Sequence, residues 1–365
     1  MTGPELYAGI MSGTSLDGID AALVEIDNGQ IRQLATYYQP YQQHLKDALL
    51  SLHHSTNNEL HQAQVIGNEL AGLYAATTAS LLKISNTSPG QVRAIGCHGQ
   101  TIRHNPTQGY SLQIGNSALL AELAGITVVG DFRSRDIAAG GQGAPLVPAF
   151  HDKVLRHPTI HRVIVNVGGI SNLTDLAPDR PAGGFDCGPG NLLMDGWIAR
   201  HQGKPYDANG AWAAAGQAIP LLLQELLAEP YFQAPAPKSS GRDLFNLGWL
   251  ERHLHGTEAA ADVQATLLAL TSACIVDAMR RCCTGAKEVY LCGGGAHNHA
   301  LIASLQHALP GCQIGLTDAL GIPADWMEAI AFAWLARQAI HHEPANLPAV
   351  TGARHPCILG AIFPA

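Results

Sequence analysis

Met11-Ser12-Gly13-Thr14-Ser15-Leu16-Asp17-Gly18-Ile19-Asp20 is the stretch that decides how this chain folds. The apolar run Leu6 to Met11 ends in a turn rich in glycine and hydroxyl groups, and Ile19 to Ile26 then resumes an extended pattern. About half a chain later the plan recurs. His161 to Val167 reads as a strand, Gly168-Gly169-Ile170-Ser171-Asn172 as a second such turn, and Leu173 to Leu176 as the returning strand. A repeat of this kind predicts two copies of one supersecondary plan.

Working outward, Ile31 to Tyr38 extends the first copy to three consecutive strands. Val65, Ile66, Leu70, Leu73 and Leu81 then fall at helical spacing within 59–83. Val92 to Cys97 reads as a buried strand running into His98-Gly99-Gln100-Thr101. Asn116 to Ala124 reads as helix and 127–129 as a short strand leading to Arg133-Ser134-Arg135. The Gly-, Ala- and Pro-rich stretch 138–148 reads as a loop beside the first domain boundary. In the second copy, Phe185-Asp186-Cys187-Gly188-Pro189-Gly190-Asn191 places one carboxylate in a glycine turn at a strand end. Helices are expected over 190–200, 210–227, 260–281, 300–309 and 330–340, and a polar loop over 235–242. A third glycine turn, Gly293-Gly294-Gly295, follows the strand 289–292. Strands and helices mixed in this way, with strand ends feeding glycine turns, give an α/β fold with ligands at the strand ends. The expected domains are 1–135 with about 323–365, and 136–322.

Composition narrows the function. The chain has 365 residues, which predicts more than one domain. With 47% hydrophobic and 14% charged residues it is a globular chain rather than a disordered one. At a net charge of −8, and with no long Lys/Arg run, it is not expected to bind nucleic acid. The N-terminus lacks the basic start and long apolar core of a signal peptide, and no apolar run reaches the ~20 residues of a membrane helix. Eight cysteines without a CxxC pair read as reduced, buried thiols of a cytoplasmic protein. Eighteen scattered histidines without an HExxH pattern do not suggest a metal centre.

The turns carry the chemistry. A phosphate chain needs backbone N–H groups unobstructed by a Cβ, and hydroxyls that can donate. Ser12-Gly13-Thr14-Ser15 supplies both, and Gly168-Gly169-Ile170-Ser171 does so again. None of the turns fits the P-loop pattern or a dinucleotide fingerprint. Each also serves simply as a tight turn, and Asp17 equally suits a bond to its own backbone or a Mg2+ ion held through water.

In order along the chain, MSGTSLDGID, CHGQTIRH, NVGGISN, GFDCGPGN, KSSGRDLFN and CGGGAHN resemble the anhydro-N-acetylmuramic acid kinase family, from Gly9 to near Ala361. The resemblance implies two RNase-H-like domains of the actin, heat-shock chaperone and sugar-kinase superfamily, with nucleotide in the cleft between them. It also implies ATP and Mg2+ as cofactors, a cytoplasmic homodimer, and a place in cell-wall sugar recycling. The implied reaction opens the 1,6-anhydro bridge of 1,6-anhydro-N-acetylmuramic acid with water while O6 takes the γ-phosphoryl group. One carboxylate then suffices, because the departing oxygen passes its charge to phosphorus instead of needing the acid of ordinary inverting hydrolysis. Asp186 matches the family's catalytic Asp, with Gly184 and Gly188 expected to leave room for sugar and water. By the same matching, Gly13, Thr14, Ser15 and Asp17, with Ser12 and Gly18 beside them, form the first phosphate turn, Gly168, Gly169, Ser171 and Asn172 the second, and Gly293, Gly294, Gly295 and Asn298 the adenosine segment. Arg135 (or Arg133) is expected at the sugar's lactyl carboxylate, and His98, Gln100, Thr101 and Glu328 near the sugar. Lys238 to Phe245 matches without a mechanical role. Two other readings stay open: another sugar or acid kinase of the superfamily, or a nucleotide-gated binding protein of the actin or chaperone kind.

Overall fold

The structure is a computed structural model that describes residues 3–13, 15–53 and 57–365. The chain divides into two compact units, Met1–Val154 with Trp326–Ala365, and Leu155–Asp325. The first is built on β1 (Glu5–Ser12), β2 (Gly18–Asp27), β3 (Gln30–Pro40), β4 (Val92–Asn105), β5 (Tyr110–Ile114), β6 (Val128–Gly130) and, from the C-terminus, an edge strand at Ala361–Phe363. The second holds β7 (Arg162–Val167), β8 (Ile170–Leu176), β9 (Gly183–Pro189), β10 (Glu288–Cys292) and β11 (Gln313–Leu316). The edge strand Ala361–Phe363 is β12.

The sheets run β12-β6-β4-β1-β2-β3 and β11-β10-β7-β8-β9, with β5 hairpinned onto β4. In each unit the first three strands form an antiparallel meander, and two further strands add in parallel on the other side of the first, β4 then β6 in one unit and β10 then β11 in the other. The order 3-2-1-4-5 therefore occurs twice. That is the topology of the RNase-H-like fold, and it makes the recurrence of the glycine turns a duplication of structure.

Alternation along β1 explains the layers of the first unit. Ala8 and Ile10 join Leu70, Tyr74 and Leu81 of the helix Glu59–Ile84 in one buried cluster. Gly9 faces the other way, where the helix Met327–Ile340 lies so close that a Cβ would sit 1.8 Å from the carbonyl oxygen of Ala329. Gly96 on neighbouring β4 does the same at 1.9 Å from the Phe332 carbonyl. The chain thus returns at Trp326 to cover the second face of its first sheet.

Several local expectations change. Strand β4 continues through His98–Thr101 to Asn105, because β5 pairs with it. The 138–148 loop gives way to a helix at Val147–Leu155. The helix expected over 210–227 is two, Ala211–Ala215 and Pro220–Leu227. Pro220 can only start a helix, and a Cβ on Gly216 would lie 2.1 Å from the Ala261 carbonyl, so the chain bends there. All eight cysteines are free; Cys282 is exposed and Cys312 half-buried, not buried as expected. Among the described residues one helix, Ala260–Cys282, is long and apolar enough to cross a membrane, contrary to the reading of apolar runs. Here it is mostly buried inside the second unit, which explains its apolarity.

Candidate active site

In the first unit, β1 ends at Ser12 and β2 begins at Gly18. The turn between them rests on the parallel neighbour β4. Gln100 Nε2 donates to the Gly13 carbonyl at 3.0 Å, and Tyr41 Oη donates to Gln100 Oε1 at 3.3 Å. Gln100 is fully buried, and its amide ties the turn to Tyr41. Ser12 is tied in the same way. Its buried hydroxyl donates to the Gly99 carbonyl at 3.0 Å and meets Tyr74 Oη at 2.8 Å. The Gly18 N–H and Ser15 Oγ both donate to Asp17 Oδ1, at 3.0 and 2.5 Å. Gly18 is therefore a strap on Asp17, which is held exposed. Thr14 lies outside the described residues.

His98 sits beneath this turn. Its Nδ1 lies 3.3 Å from the Ser12 carbonyl and its Nε2 2.8 Å from Arg133 Nη2. These partners define a neutral imidazole that donates from Nδ1 and accepts at Nε2. Burial, and then the Arg133 charge, push its pKa down to about 3. Arg133 also donates to the Gly143 carbonyl at 2.6 Å, whereas Arg135 stands exposed on the short helix Ser134–Ala138. Thr101 Oγ1 accepts from Gln113 Nε2 at 3.0 Å. Glu328 occupies the first turn of the helix Met327–Ile340, where the helix dipole favours a carboxylate.

In the second unit four pieces of chain converge at the ends of β7 and β10. The Gly168 and Gly169 carbonyls accept N–H bonds from Asn191 at 2.8 Å and Gly190 at 2.9 Å, so the second glycine turn and the end of GFDCGPGN form one assembly. Only glycine fits at 190, since a Cβ would lie 2.3 Å from the Gly168 carbonyl oxygen. Asn191 Nδ2 donates to the Val167 carbonyl at 3.1 Å. The third turn packs against the same place: a Cβ on Gly295 would meet Val167 Cγ1 at 2.3 Å, while Gly294 is exposed. Gly293 takes φ +77° and donates its N–H to the Ala324 carbonyl at 3.0 Å. Two expected ligands are otherwise engaged. Ser171 is fully buried and donates to the Gly188 carbonyl at 3.1 Å. Asn298 Oδ1 caps the helix His299–Ala308 by accepting from the Leu301 N–H at 3.0 Å. Asn172 stays half-buried on β8, directly across from Asp186.

Asp186 is in β9, not in a turn as its glycine neighbours suggested. A shift of pairing register between Ser171 and Asn172 bulges the strand beside it. Its N–H donates to the Lys238 carbonyl at 3.2 Å, and its Oδ2 accepts the Ser240 N–H at 2.9 Å. Gly188 does not open space for a sugar. Its missing side chain admits Phe232, which a Cβ would meet at 2.7 Å. The polar loop 238–240 was legible as a motif but not as the holder of Asp186, because the contact spans some fifty residues of sequence.

Two RNase-H-like domains, each with a glycine turn between its first two strands, define the fold class of this chain. The model of one family in it, anhydro-N-acetylmuramic acid kinase, matches residues 5–365, and the chain belongs to that family. Curated members include the anhydro-N-acetylmuramic acid kinases of Nitrosomonas europaea and Thiobacillus denitrificans. The first is 57% identical over 98% of this chain and 99% of its own, the second 57% identical over 99% and 98%. That of Chromobacterium violaceum is 52% identical over 99% of each chain.

Proposed function

We propose that this kinase opens 1,6-anhydro-N-acetylmuramic acid with water and phosphorylates O6 from ATP, giving N-acetylmuramic acid 6-phosphate and ADP. The observation that carries the reading is Asp186: a single carboxylate, buried, oriented by a backbone N–H, on the strand whose end at Gly190 and Asn191 bonds to the second glycine turn. Asp186 takes a proton from water as the water oxygen bonds to C1. The C1–O6 bond breaks, O6 bonds to the γ-phosphorus, and the bond from phosphorus to the bridging oxygen breaks to release ADP. The leaving oxygen is consumed by phosphorus, so no second protein acid is required.

The backbone of Gly13, Ser15, Gly168 and Gly169 is assigned to the phosphates, and Gly293 to Gly295 to the adenosine. Arg135 or Arg133 is assigned to the lactyl carboxylate, with Thr101 and Glu328 near the sugar. Asp17 fits Mg2+: it is exposed, and the two contacts described above both fall on Oδ1, which orients the carboxylate. Magnesium at nucleotide phosphates takes only one or two carboxylates and supplies charge neutralisation there. The setting is a cytoplasmic homodimer in cell-wall sugar recycling.

The test uses purified protein, ATP, Mg2+ and the anhydro sugar in 18O water. The reading requires label at C1 and phosphate on O6. Phosphorylation of an intact anhydro ring, or no sugar turnover, would overturn it. Asp186→Asn should keep nucleotide and sugar binding and lose at least about a hundredfold in kcat, as for a lost general base. Near-normal turnover would show that Asp186 only braces β9.

A further inference from the structure

The motif KSSGRDLFN has no role in the chemistry above, yet its lysine is among the few buried charged side chains, 8% exposed. Lys238 Nζ donates to the carbonyls of Tyr231 at 3.0 Å and Phe232 at 3.2 Å. It also lies 4.6 Å from the centroid of the Tyr231 ring and 5.5 Å from that of Phe185, the residue before Asp186. Burial pushes its pKa down, and the nearby Arg281 charge adds to this. An ammonium held in so poor a solvent is costly unless its donors and rings are used.

The ties continue in both directions. Towards Asp186, the Lys238 carbonyl accepts the Asp186 N–H, and two residues on, the Ser240 N–H reaches Oδ2. Tyr231 Oη donates to the Asp186 carbonyl at 2.8 Å. Away from it, Arg281 on the long helix Ala260–Cys282 donates to the same Phe232 carbonyl at 2.9 Å. Backbone, side chain and both flanks of Asp186 are thereby tied, through one lysine and one tyrosine, to the central helix of the unit.

We infer that Lys238, with Tyr231, is the positioning device for Asp186: the lysine anchors the 238–240 loop on the 231–232 carbonyls, and the loop and the tyrosine hold β9 so that the carboxylate faces its water. Neither residue touches the reacting atoms. A misplaced carboxylate loses rate while binding elsewhere persists, because small displacements of a reacting group cost far more in turnover than in affinity.

This inference rests on Asp186 being the base, so Asp186→Asn is run beside it. Lys238→Met keeps the aliphatic stem and removes the donors and the charge. Its kcat should fall tenfold or more, with KM for ATP and for the anhydro sugar within about twofold of the parent. Tyr231→Phe, which loses one hydroxyl and no packing, should show the same split to a lesser degree and serves alone if Lys238→Met does not fold. Unchanged kcat in Tyr231→Phe, or a fall in Lys238→Met carried by KM, would overturn the inference while an inactive Asp186→Asn leaves the base assignment standing. An active Asp186→Asn would instead remove the base and this inference with it.

Discussion

His98 is an ordinary-looking histidine in the sequence, and its surroundings hold it neutral well below the usual imidazole range. It is buried, and its second nitrogen faces the Arg133 guanidinium. His151, also fully buried, has its pKa pushed down by burial to about 3. In the unfolded chain both titrate near their ordinary value of 6.5. Between about pH 6.5 and 3 the unfolded state therefore binds more protons than the fold, and stability is lost as pH falls through that window. The slope is at most about 1.4 kcal/mol per pH unit for each histidine. Denaturant melts from pH 7 to 4 should show this loss, and His98→Gln should make it shallower. A pH-independent midpoint in the parent would contradict the buried neutral state. The same scale shows what sequence could not reveal. Ser12, Gln100, Ser171 and Asn298 read as ligands because they are polar and sit in or near glycine turns. Their side chains are spent on Gly99, Gly13, Gly188 and Leu301.

At the scale of elements, the closest fit is between β1, β4 and the helix Met327–Ile340. Gly9 and Gly96 have no side chain because helix backbone occupies that space. Gly96→Ala forces strand and helix apart, and overpacking of this kind costs about 1–3 kcal/mol or more. A chemical-denaturation midpoint should drop accordingly with an unchanged slope, and Gly125→Ala, where nothing lies within 4 Å of the added carbon, is the control for space though not for its positive φ. A parental midpoint for Gly96→Ala would show that the helix does not press on the sheet. Strand periodicity and the helix over 59–83 were legible because each is a local pattern. The extent of β4 and the break at Gly216 were not, because one depends on a partner strand and the other on a distant carbonyl.

At the scale of the molecule, the second unit is one continuous segment with its own sheet and central helix, while the first is completed only when the chain returns at Trp326. The fragment 155–325 should accordingly melt cooperatively on its own, with near-native far-UV circular dichroism. The fragment 3–154 should not, because the face of its sheet that carries Gly9 and Gly96 would be stripped of its helix. A cooperative melt for 3–154 would mean that the helix Met327–Ile340 is dispensable to that core.

By itself the sequence determined the duplicated α/β plan, the three glycine turns and the family, all through motifs a few residues long whose backbone demands are local. Only the tertiary structure decided which polar groups in those turns stay available, that Asp186 stands in a bulged strand, and that Lys238 braces it. Several of those outcomes depend on contacts between residues about fifty to ninety positions apart, such as Ser240 on Asp186 and Gln100 on Gly13. A hydrogen bond uses up a side chain no matter how far along the chain its partner lies, and that distance is what a local pattern cannot carry.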